Sequence, residues 1–241
     1  MKHNNYTTYV RYRPPQLDAW NVISKYTLSS KKSKILDVGC GPGVQTNLAL
    51  SLFDGDYYGI DNSNQAIDMA YKSIATSRAH FICGDAQHLP FCNEAFNLVV
   101  YMLVLHQLED VKNALFEARR VIGKNGKVAI VSVFEEERNK QIEFRYFPSL
   151  AKIEKLRHPK EKEITNFLQN AGFRVISKRA KYFRPPIDTS LVHAIKNRYF
   201  SSLNIISDAE LFDGCLQIEE ELKNPSILHH APPYCTILIG Y

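Results

Sequence analysis

The stretch ILDVGCGPG, at residues 35–43, ends a short apolar run in three glycines, each separated from the next by one residue. Gly39, Gly41 and Gly43 allow the backbone to turn tightly and to approach a ligand at positions where a Cβ atom would collide with it. A helical pattern follows from Val44, so the N–H groups at the start of that helix point towards the same ligand. A dinucleotide-binding fingerprint has the spacing GxGxxG, which would place its third glycine at Val44. The stretch therefore predicts a site for a nucleotide-like cofactor and disfavours NAD.

Short apolar runs alternate with helical patterns along most of the chain. The helical patterns include residues 111–122, with the cations Arg119 and Arg120 near their end, and residues 161–170, which Gly172 stops. This alternation predicts an α/β fold with a doubly wound parallel sheet of seven strands. The predicted strands are residues 34–38, 57–60, 79–83, 98–102, 127–134, 173–177 and 235–241.

The glycine-rich stretch, together with the LDVG that it contains, resembles motif I of the class I S-adenosylmethionine (SAM) dependent methyltransferases, which have a Rossmann-like fold. Three later segments resemble the same family in the same order: YYGID at 57–61, GDAQHLPF at 84–91 and FNLVVYMLVLHQLED at 96–110. The last is similar to FDLVxxxxxLHHL of the subgroup that includes the ubiquinone-biosynthesis methyltransferases, with Asn97 in place of an Asp and Gln107 in place of a second His. The resemblance implies SAM as the cofactor and in-line transfer of its methyl group to a small organic acceptor.

The resemblance also assigns residues to the cofactor. Asp61 would accept hydrogen bonds from the ribose hydroxyls. Asp85 would accept one from the adenine amino group, and the backbone N–H of Ala86 would donate to the adenine ring. The full set that the resemblance implies is Arg13, Asp37, Gly39, Cys40, Gly41, Asp61, Asn62, Asp85, Ala86 and Tyr101. Two other interpretations stay open: Asp61, Asn62 or Ser63 can cap the following helix, and Asp85 can be a turn residue.

His106 is the first candidate for a general base, because it lies just beyond the fourth predicted strand and its reference pKa is near neutrality. A single histidine can equally be a core or capping residue, and a base is optional if the acceptor is already nucleophilic. Replacement of His106 by Ala or Asn is predicted to lower turnover much more than SAM binding. Alanine in place of Asp61 or Asp85 is predicted to weaken SAM affinity.

The sequence YTTYVRYRPPQ, at residues 6–16, resembles the YxxYRP lid of small-molecule methyltransferases. Its two prolines hold the chain in an extended or turned form before a helix begins. The resemblance implies that Arg13 pairs with the methionine carboxylate of the cofactor, which a guanidinium can bind through two hydrogen bonds. It also implies that a tyrosine, with Tyr9 as the candidate, closes over the sulfonium. Alternatively, these aromatic residues only fasten the first helix to the sheet.

The chain is predicted to form one domain, residues 1–241, in four parts. Residues 1–32 form an N-terminal lid, 33–177 the SAM-binding core, 178–233 a helical insertion between strands six and seven, and 234–241 the last strand. The insertion contains helical patterns at 190–206 and 208–222 and would cover the C-terminal ends of the strands, where open sheets bind ligands. The PPY at 232–234 is similar to a signature of nucleic-acid amino-methyltransferases, but it does not follow strand four.

Charge and cysteine content limit the kinds of partner, metal site and cellular location that the sequence allows. The 241 residues carry a net charge of +5, and residues 1–34 contribute +6 through seven Lys or Arg and one Asp. A nucleic-acid partner usually needs a broader basic stripe, so a small molecule is favoured. The five scattered cysteines form no CxxC pair, which argues against a metal site and disulfides and indicates a cytoplasmic setting. The N-terminal MKHNNYTTYV contains no apolar h-region, and no run of about 18 apolar residues occurs, so neither secretion nor a membrane span is expected. The oligomeric state stays undetermined.

Three alternatives to methyl transfer onto a small molecule stay open. Motif I does not distinguish methyl transfer from cyclisation or transfer of the aminocarboxypropyl group of SAM. The basic N-terminal segment could contact phosphates in an RNA methyltransferase, whose binding would weaken steeply with salt. A non-catalytic SAM-binding module is the third alternative, and it would form no product.

Overall fold

The computed structural model describes residues 6–27, 32–139, 141, 143–182, 187–198, 201–224 and 234–241. Within them, the strands are β1 (Ser33–Val38), β2 (Gly55–Asp61), β3 (Ala79–Cys83), β4 (Phe96–Met102), β5 (Ile122–Ser132), β6 (Val175–Lys181) and β7 (Tyr234–Gly240). They form one sheet in the order β3-β2-β1-β4-β5-β7-β6. This order reverses direction between β1 and β4, where an open α/β sheet leaves a crevice for a ligand. The doubly wound seven-stranded sheet is confirmed.

The last strand is the exception to the predicted parallel arrangement. β7 runs antiparallel to β5 and to β6, whereas β1 to β5 pair in parallel. The connection between the last two strands explains this direction. β6 ends at Lys181, and the next strand begins at Tyr234, directly opposite Lys181 in the register. The intervening helices thus stay at one edge of the sheet, and the chain runs back from there.

The helices of the described residues pack on both faces of the sheet and over the C-terminal ends of its strands. They are α1 (Tyr6–Tyr12), α2 (Leu17–Thr27), α3 (Thr46–Leu52), α4 (Asn64–Ser73), α5 (Val111–Val121), α6 (Glu135–Arg138), α7 (Glu143–Tyr146), α8 (Pro148–Arg157), α9 (Glu161–Asn170), α10 (Thr189–Lys196) and α11 (Asp208–Glu221). Ile35 packs with Trp20 of α2 in one core, and the next residue, Leu36, packs with Leu115 of α5 in the other. Successive strand residues point to opposite faces, so the apolar run of β1 fills both cores.

The N-terminal ends of β1 and β4 explain one departure from the family pattern. Asn97 accepts a hydrogen bond from the backbone N–H of Lys34 through its side-chain oxygen, at 2.8 Å. An amide oxygen meets this need as well as a carboxylate does. The replacement of the usual Asp is therefore accommodated far from the C-terminal edge of the sheet.

A third apolar cluster covers that C-terminal edge. It joins Tyr12 of α1, Tyr146 of α7, Leu150 of α8, Leu191 of α10 and Cys215 of α11. The predicted insertion at 178–233 therefore supplies only part of the cover. Residues 135–158, between β5 and α9, supply another part, whereas the sequence analysis counted them within the SAM-binding core at 33–177.

The insertion itself differs from the predicted pair of helices. The pattern at 190–206 is divided, because α10 ends at Lys196 and Arg198 has a positive φ of 51°. A short 3₁₀ helix, Ser201–Ile205, follows. The second pattern forms α11 nearly as predicted. The two prolines at 232 and 233 lie outside the described residues, and Tyr234 begins β7.

The first helix is fastened to the insertion. Tyr12 donates its hydroxyl hydrogen to the backbone oxygen of Ser190 at 2.7 Å. Arg11 donates to the hydroxyl oxygen of Ser190 at 2.6 Å and forms an ion pair with Asp188 at 3.3 Å. Lid and cover therefore close one end of the molecule together. None of the helices in the described ranges is long and apolar enough to cross a membrane.

Candidate active site

A cavity of about 320 Å³ lies at the C-terminal ends of the central strands. Its lining includes Gly39 after β1, Asp61 at the end of β2, Leu103 after β4 and Val133 after β5. Helices of the cover close its far side through residues such as Leu150. The cavity therefore has two ends, a glycine-loop end formed by the core and a covered end formed by side chains of the lid and cover.

The glycine-loop end is shaped by backbone that only glycine adopts readily. Gly39, Gly41 and Gly43 have φ values of 74°, 54° and 78°. A Cβ atom at Gly39 would lie 2.3 Å from Cγ2 of Val104, which leaves no room for a side chain. The helix after this loop, α3, begins at Thr46 rather than at Val44. The turn thus presents bare backbone to the cavity, as the glycine spacing predicts.

Gln45 fixes this loop to the second helix. Its side-chain oxygen accepts hydrogen bonds from the backbone N–H of Gln16 at 3.0 Å and from the indole N–H of Trp20 at 3.1 Å. Trp20 is fully buried. The segment that carries Arg13 is therefore held against the glycine loop, and Arg13 itself lines the cavity.

Asp37 lies buried beneath the loop and lines the cavity. One carboxyl oxygen accepts a hydrogen bond from the hydroxyl of Tyr57, and the other, Oδ1, has no partner among the residues that the structure describes. Burial raises the pKa of Asp37 to about 7, the hydrogen bond from Tyr57 acts to lower it, and the nearby charge of Asp61 adds to the rise. Burial and the charge of Asp37 also raise the pKa of the Cys40 thiol. A cation placed here would favour the ionised form of Asp37.

Asp61 is held by backbone groups on both sides. Its Oδ2 accepts from the N–H of Gly41 and its Oδ1 from the N–H of Ser63, both at 2.9 Å. Ser63, not Asp61, caps α4, because its hydroxyl oxygen accepts from the N–H of Ala66. Each carboxylate oxygen keeps a second acceptor position. The carboxylate of Asp61 is therefore fixed in place and still able to accept from a ligand.

Four residues of the predicted cofactor set do not belong to the described lining of the cavity: Asn62, Asp85, Ala86 and Tyr101. Asp85 is about half exposed and accepts from the backbone N–H of Gln87, while its other oxygen lies 2.9 Å from Nδ1 of His88. These contacts lower the pKa of Asp85. Tyr101 is fully buried on the α5 side of the sheet and donates to the backbone oxygen of Ala114 at 2.7 Å. The other six residues of the set come together, and the side chain of Tyr9 lies outside the described residues.

The covered end of the cavity contains His106 and three residues that sequence reasoning missed: Arg138, Glu154 and His158. His106 lies in a short 3₁₀ helix after β4, and its ring stacks on that of His158 with 4.3 Å between ring centres. Burial, helped by the neighbouring His158, lowers the pKa of His106 to about 3. His106 therefore stays uncharged at neutral pH.

A sequence signal for the missed residues exists but is weak. Glu154 and His158 are four residues apart near the end of α8, which places them on one face of that helix. Such a pair is common on solvated helices, and only its burial distinguishes it. Within the described residues, no group of three or more His, Cys, Asp or Glu could hold a metal ion.

The fold and this site define a class. The parallel strand order, the glycine turn after β1 and the anchored acid at the end of β2 are those of the Rossmann-like SAM-dependent methyltransferases. Residues 36–130 match the family model described as "Methyltransferase domain". The chain thus carries a methyltransferase domain of this Rossmann-like family.

Individual relatives agree with this assignment. The chain is 27% identical to O-methyltransferase cnsE of Penicillium expansum over 59% of this chain and 52% of that protein. It is 34% identical to demethylmenaquinone methyltransferase of Roseiflexus castenholzii over 42% of each protein. The chain spans about half or less of the length of curated relatives that it matches, between 39% and 52% for three of them.

A solved structure resembles the whole fold. It is a protein of Anabaena variabilis ATCC 29413, described as a methyltransferase assigned to an antibiotic biosynthesis pathway. The TM-score is 0.77 at 18% identity, over 96% of this chain and 99% of that one. The similarity therefore includes the lid and the cover as well as the sheet.

Proposed function

We propose that this protein is a SAM-dependent methyltransferase that transfers the sulfonium methyl group to a small organic acceptor. The observation that supports this most directly is the single cavity that joins the glycine loop to the covered end. Its volume of about 320 Å³ lies in the range of about 300–1,000 Å³ that is usual for small-molecule pockets. Cofactor and acceptor would therefore meet inside one enclosed space.

The residues of the glycine-loop end fit SAM. The cofactor supplies a reactive methyl group on a positively charged sulfur. Asp61 would accept from the ribose, since both of its oxygens are already oriented by backbone N–H groups. Asp37 offers an unpaired buried oxygen, which suits a positively charged ligand. Arg13 is the candidate for the methionine carboxylate, because a guanidinium binds a carboxylate through two parallel hydrogen bonds.

The lid and cover would contribute mainly by orientation. They enclose the acceptor end with apolar side chains and join to each other through Tyr12 and Ser190. Such an enclosure excludes water and holds the acceptor in line with the methyl group. Orientation alone can lower a barrier by up to about 7–11 kcal/mol. The predicted cytoplasmic location is part of the same proposal.

The experiment that tests this function follows a labelled methyl group. The protein is incubated with methyl-labelled SAM and a cell metabolite extract, with and without bulk RNA, and the products are measured by mass spectrometry. We expect label in a new small molecule and an equal amount of S-adenosylhomocysteine. Asp61→Ala serves as the control with impaired cofactor binding.

Other products would contradict the proposal in distinct ways. Methylthioadenosine above the no-enzyme level would mean that the aminocarboxypropyl group leaves. Label in RNA, lost at high salt, would mean an RNA methyltransferase. SAM binding without any product would mean a binding module. His106→Asn, compared for turnover and for SAM affinity, tests the base that the sequence favours.

A further inference from the structure

Glu154 and His158 form a buried pair at the covered end of the cavity. Nε2 of His158 lies 2.7 Å from Oε2 of Glu154, and each side chain is only 11% exposed. Oε1 of Glu154 lies 3.4 Å from a guanidinium nitrogen of Arg157. The carboxylate is thus held between two neighbours of its own helix, and its direction towards His158 is fixed.

The other ring nitrogen of His158 has no partner in the described part of the chain. Nδ1 is buried and forms no hydrogen bond with any residue that the structure describes. An ionised Glu154 can only accept, so the hydrogen bond places the proton of the neutral ring on Nε2 and leaves a lone pair on Nδ1. Buried polar groups normally have partners. His158 lines the cavity, so a bound acceptor would reach this lone pair once the side chains that cover Nδ1 shift.

The groups around the pair favour this charge arrangement. The charged or titratable neighbours are Arg157 on the same helix, His106 after β4 and Arg138 at the end of α6. Burial acts to raise the pKa of Glu154, but the hydrogen bond from His158 and the charge of Arg157 act to lower it, and the net shift is downward, so the carboxylate stays ionised. His106 stacks on His158 with only 10° between the ring planes, which restricts rotation of the His158 ring.

Resting on the proposed function, we propose that His158, positioned by Glu154, is the general base of the reaction and that the acceptor is a hydroxyl group. The acceptor oxygen forms a bond to the methyl carbon while its proton moves to Nδ1 of His158. The bond between methyl carbon and sulfur breaks, and its electron pair stays on sulfur, which becomes neutral. The imidazolium is stabilised by Glu154 and loses its proton to solvent after the product leaves. The product is a methyl ether.

The contrast with His106 explains why the base is assigned to His158. His106 lines the same cavity, but its Nε2 lies 3.5 Å from the side-chain nitrogen of Gln107, and no carboxylate is bonded to its ring among the described residues. A base needs a partner that stabilises its protonated form. Glu154 provides this partner to His158. His106 instead lines the cavity as an uncharged ring.

The experiment compares His158→Gln and Glu154→Gln with Lys152→Gln, a matched control on the exposed side of α8. Label transfer from SAM to the metabolite extract is measured from pH 5.5 to 9, and SAM affinity by calorimetry. We expect transfer to fall by about 10²- to 10⁴-fold in His158→Gln, the range of a general base. Glu154→Gln should lower transfer less and shift its pH profile. SAM affinity and the control should stay at the wild-type level.

A second measurement needs no acceptor. Nitrogen NMR of the histidine rings in the wild-type protein should show His158 with its proton on Nε2 and a bare Nδ1. In Glu154→Gln the ring should populate both neutral forms. This readout also shows that the variants are folded and that the pair exists in solution.

Each other outcome has a defined meaning. Transfer by His158→Gln within threefold of the wild type, a proton on Nδ1, or label on nitrogen or carbon instead of oxygen would overturn the assignment of base and acceptor. Loss of transfer in His106→Asn alone would move the base to His106. A wild-type protein that binds SAM but yields no S-adenosylhomocysteine would overturn the proposed function, and the base would fall with it.

Discussion

The two ends of the cavity are built in different ways. The glycine-loop end comes from residues close together in sequence, and its shape depends on backbone conformation, as at Gly39 and Gly41. The covered end comes from side chains of distant segments, such as His106 after β4 and Glu154 on α8. Backbone turns leave a readable sequence pattern, whereas the meeting of distant side chains does not. In the proposed function, the same difference separates the residues that would bind the cofactor from those that would select the acceptor.

The largest expected effect is at the glycine loop. In Gly39→Ala, the new Cβ would meet Val104 at 2.3 Å, and the backbone would keep a φ of 74°. We expect SAM affinity to fall by roughly 100-fold or more, because the close approach of backbone to ligand is lost. Calorimetry measures this loss. Gly172→Ala is the matched control, since Gly172 has a φ of 91° but nothing within 4 Å of the added atom.

The Gly172→Ala control separates the cost of backbone strain from the loss of the shape of the glycine loop. A non-glycine residue in this region of φ costs about 1–3 kcal/mol of stability, and both variants should show that loss in thermal unfolding. Only Gly39→Ala should lose SAM. Equal SAM affinity in the two variants would contradict the role of the glycine loop as a cofactor cradle.

The next effect concerns the acids after β2 and β3. Asp61→Asn should weaken SAM binding by about 10- to 100-fold, since a hydrogen bond to a charged group is worth about 1.5–3 kcal/mol. Asp85→Asn should weaken it less, because Asp85 is half exposed and engaged with Gln87 and His88 outside the cavity lining. Calorimetry of both variants gives the ratio. Equal losses would return Asp85 to the adenine site that the resemblance implies.

The sequence predicts the glycine-loop end of the cavity better than the covered end. Glycine spacing and the YYGID segment predicted residues that the structure brings to one cavity, such as Gly39 and Asp61, because parallel strands bring their C-terminal ends to one edge. Tyr101 shows the limit within a strand, since it was assigned to the cofactor but faces α5. The pair of Glu154 and His158 could not be found, because a helical spacing of four does not reveal which face is buried. Residues 135–158 carry no family motif, so their part in the cover depends on tertiary packing.

Arg138 allows a test of acceptor binding at the covered end of the cavity. Arg138 is 4% exposed and lines the cavity, and its Nη1 has no partner within the described ranges. Burial lowers the pKa of its guanidinium, so a negative group on the acceptor would be a favourable partner. We expect Arg138→Gln to raise KM for the acceptor about tenfold, through the loss of one charged hydrogen bond, with SAM affinity unchanged. Steady-state kinetics with the identified acceptor measure this, and a change in SAM affinity alone would refute it.

The smallest effect is a pH dependence at the glycine-loop end. Folding raises the pKa of Asp37 from 3.8 to about 7, so the contribution of Asp37 to stability is full below pH 3.8 and is lost as pH rises through 7.

A cationic ligand would reverse the preference of this site for the protonated form, because a positive charge favours the carboxylate. If SAM binds the ionised form, its affinity should rise about fourfold between pH 6.5 and 8, in proportion to the ionised fraction. Asp37→Asn should show a flat profile and should lose less thermal stability than the wild type over the same interval. The covered end offers the contrast, since His106, with a pKa near 3, stays neutral throughout. An affinity that falls with rising pH would mean that the protonated form of Asp37 holds the ligand.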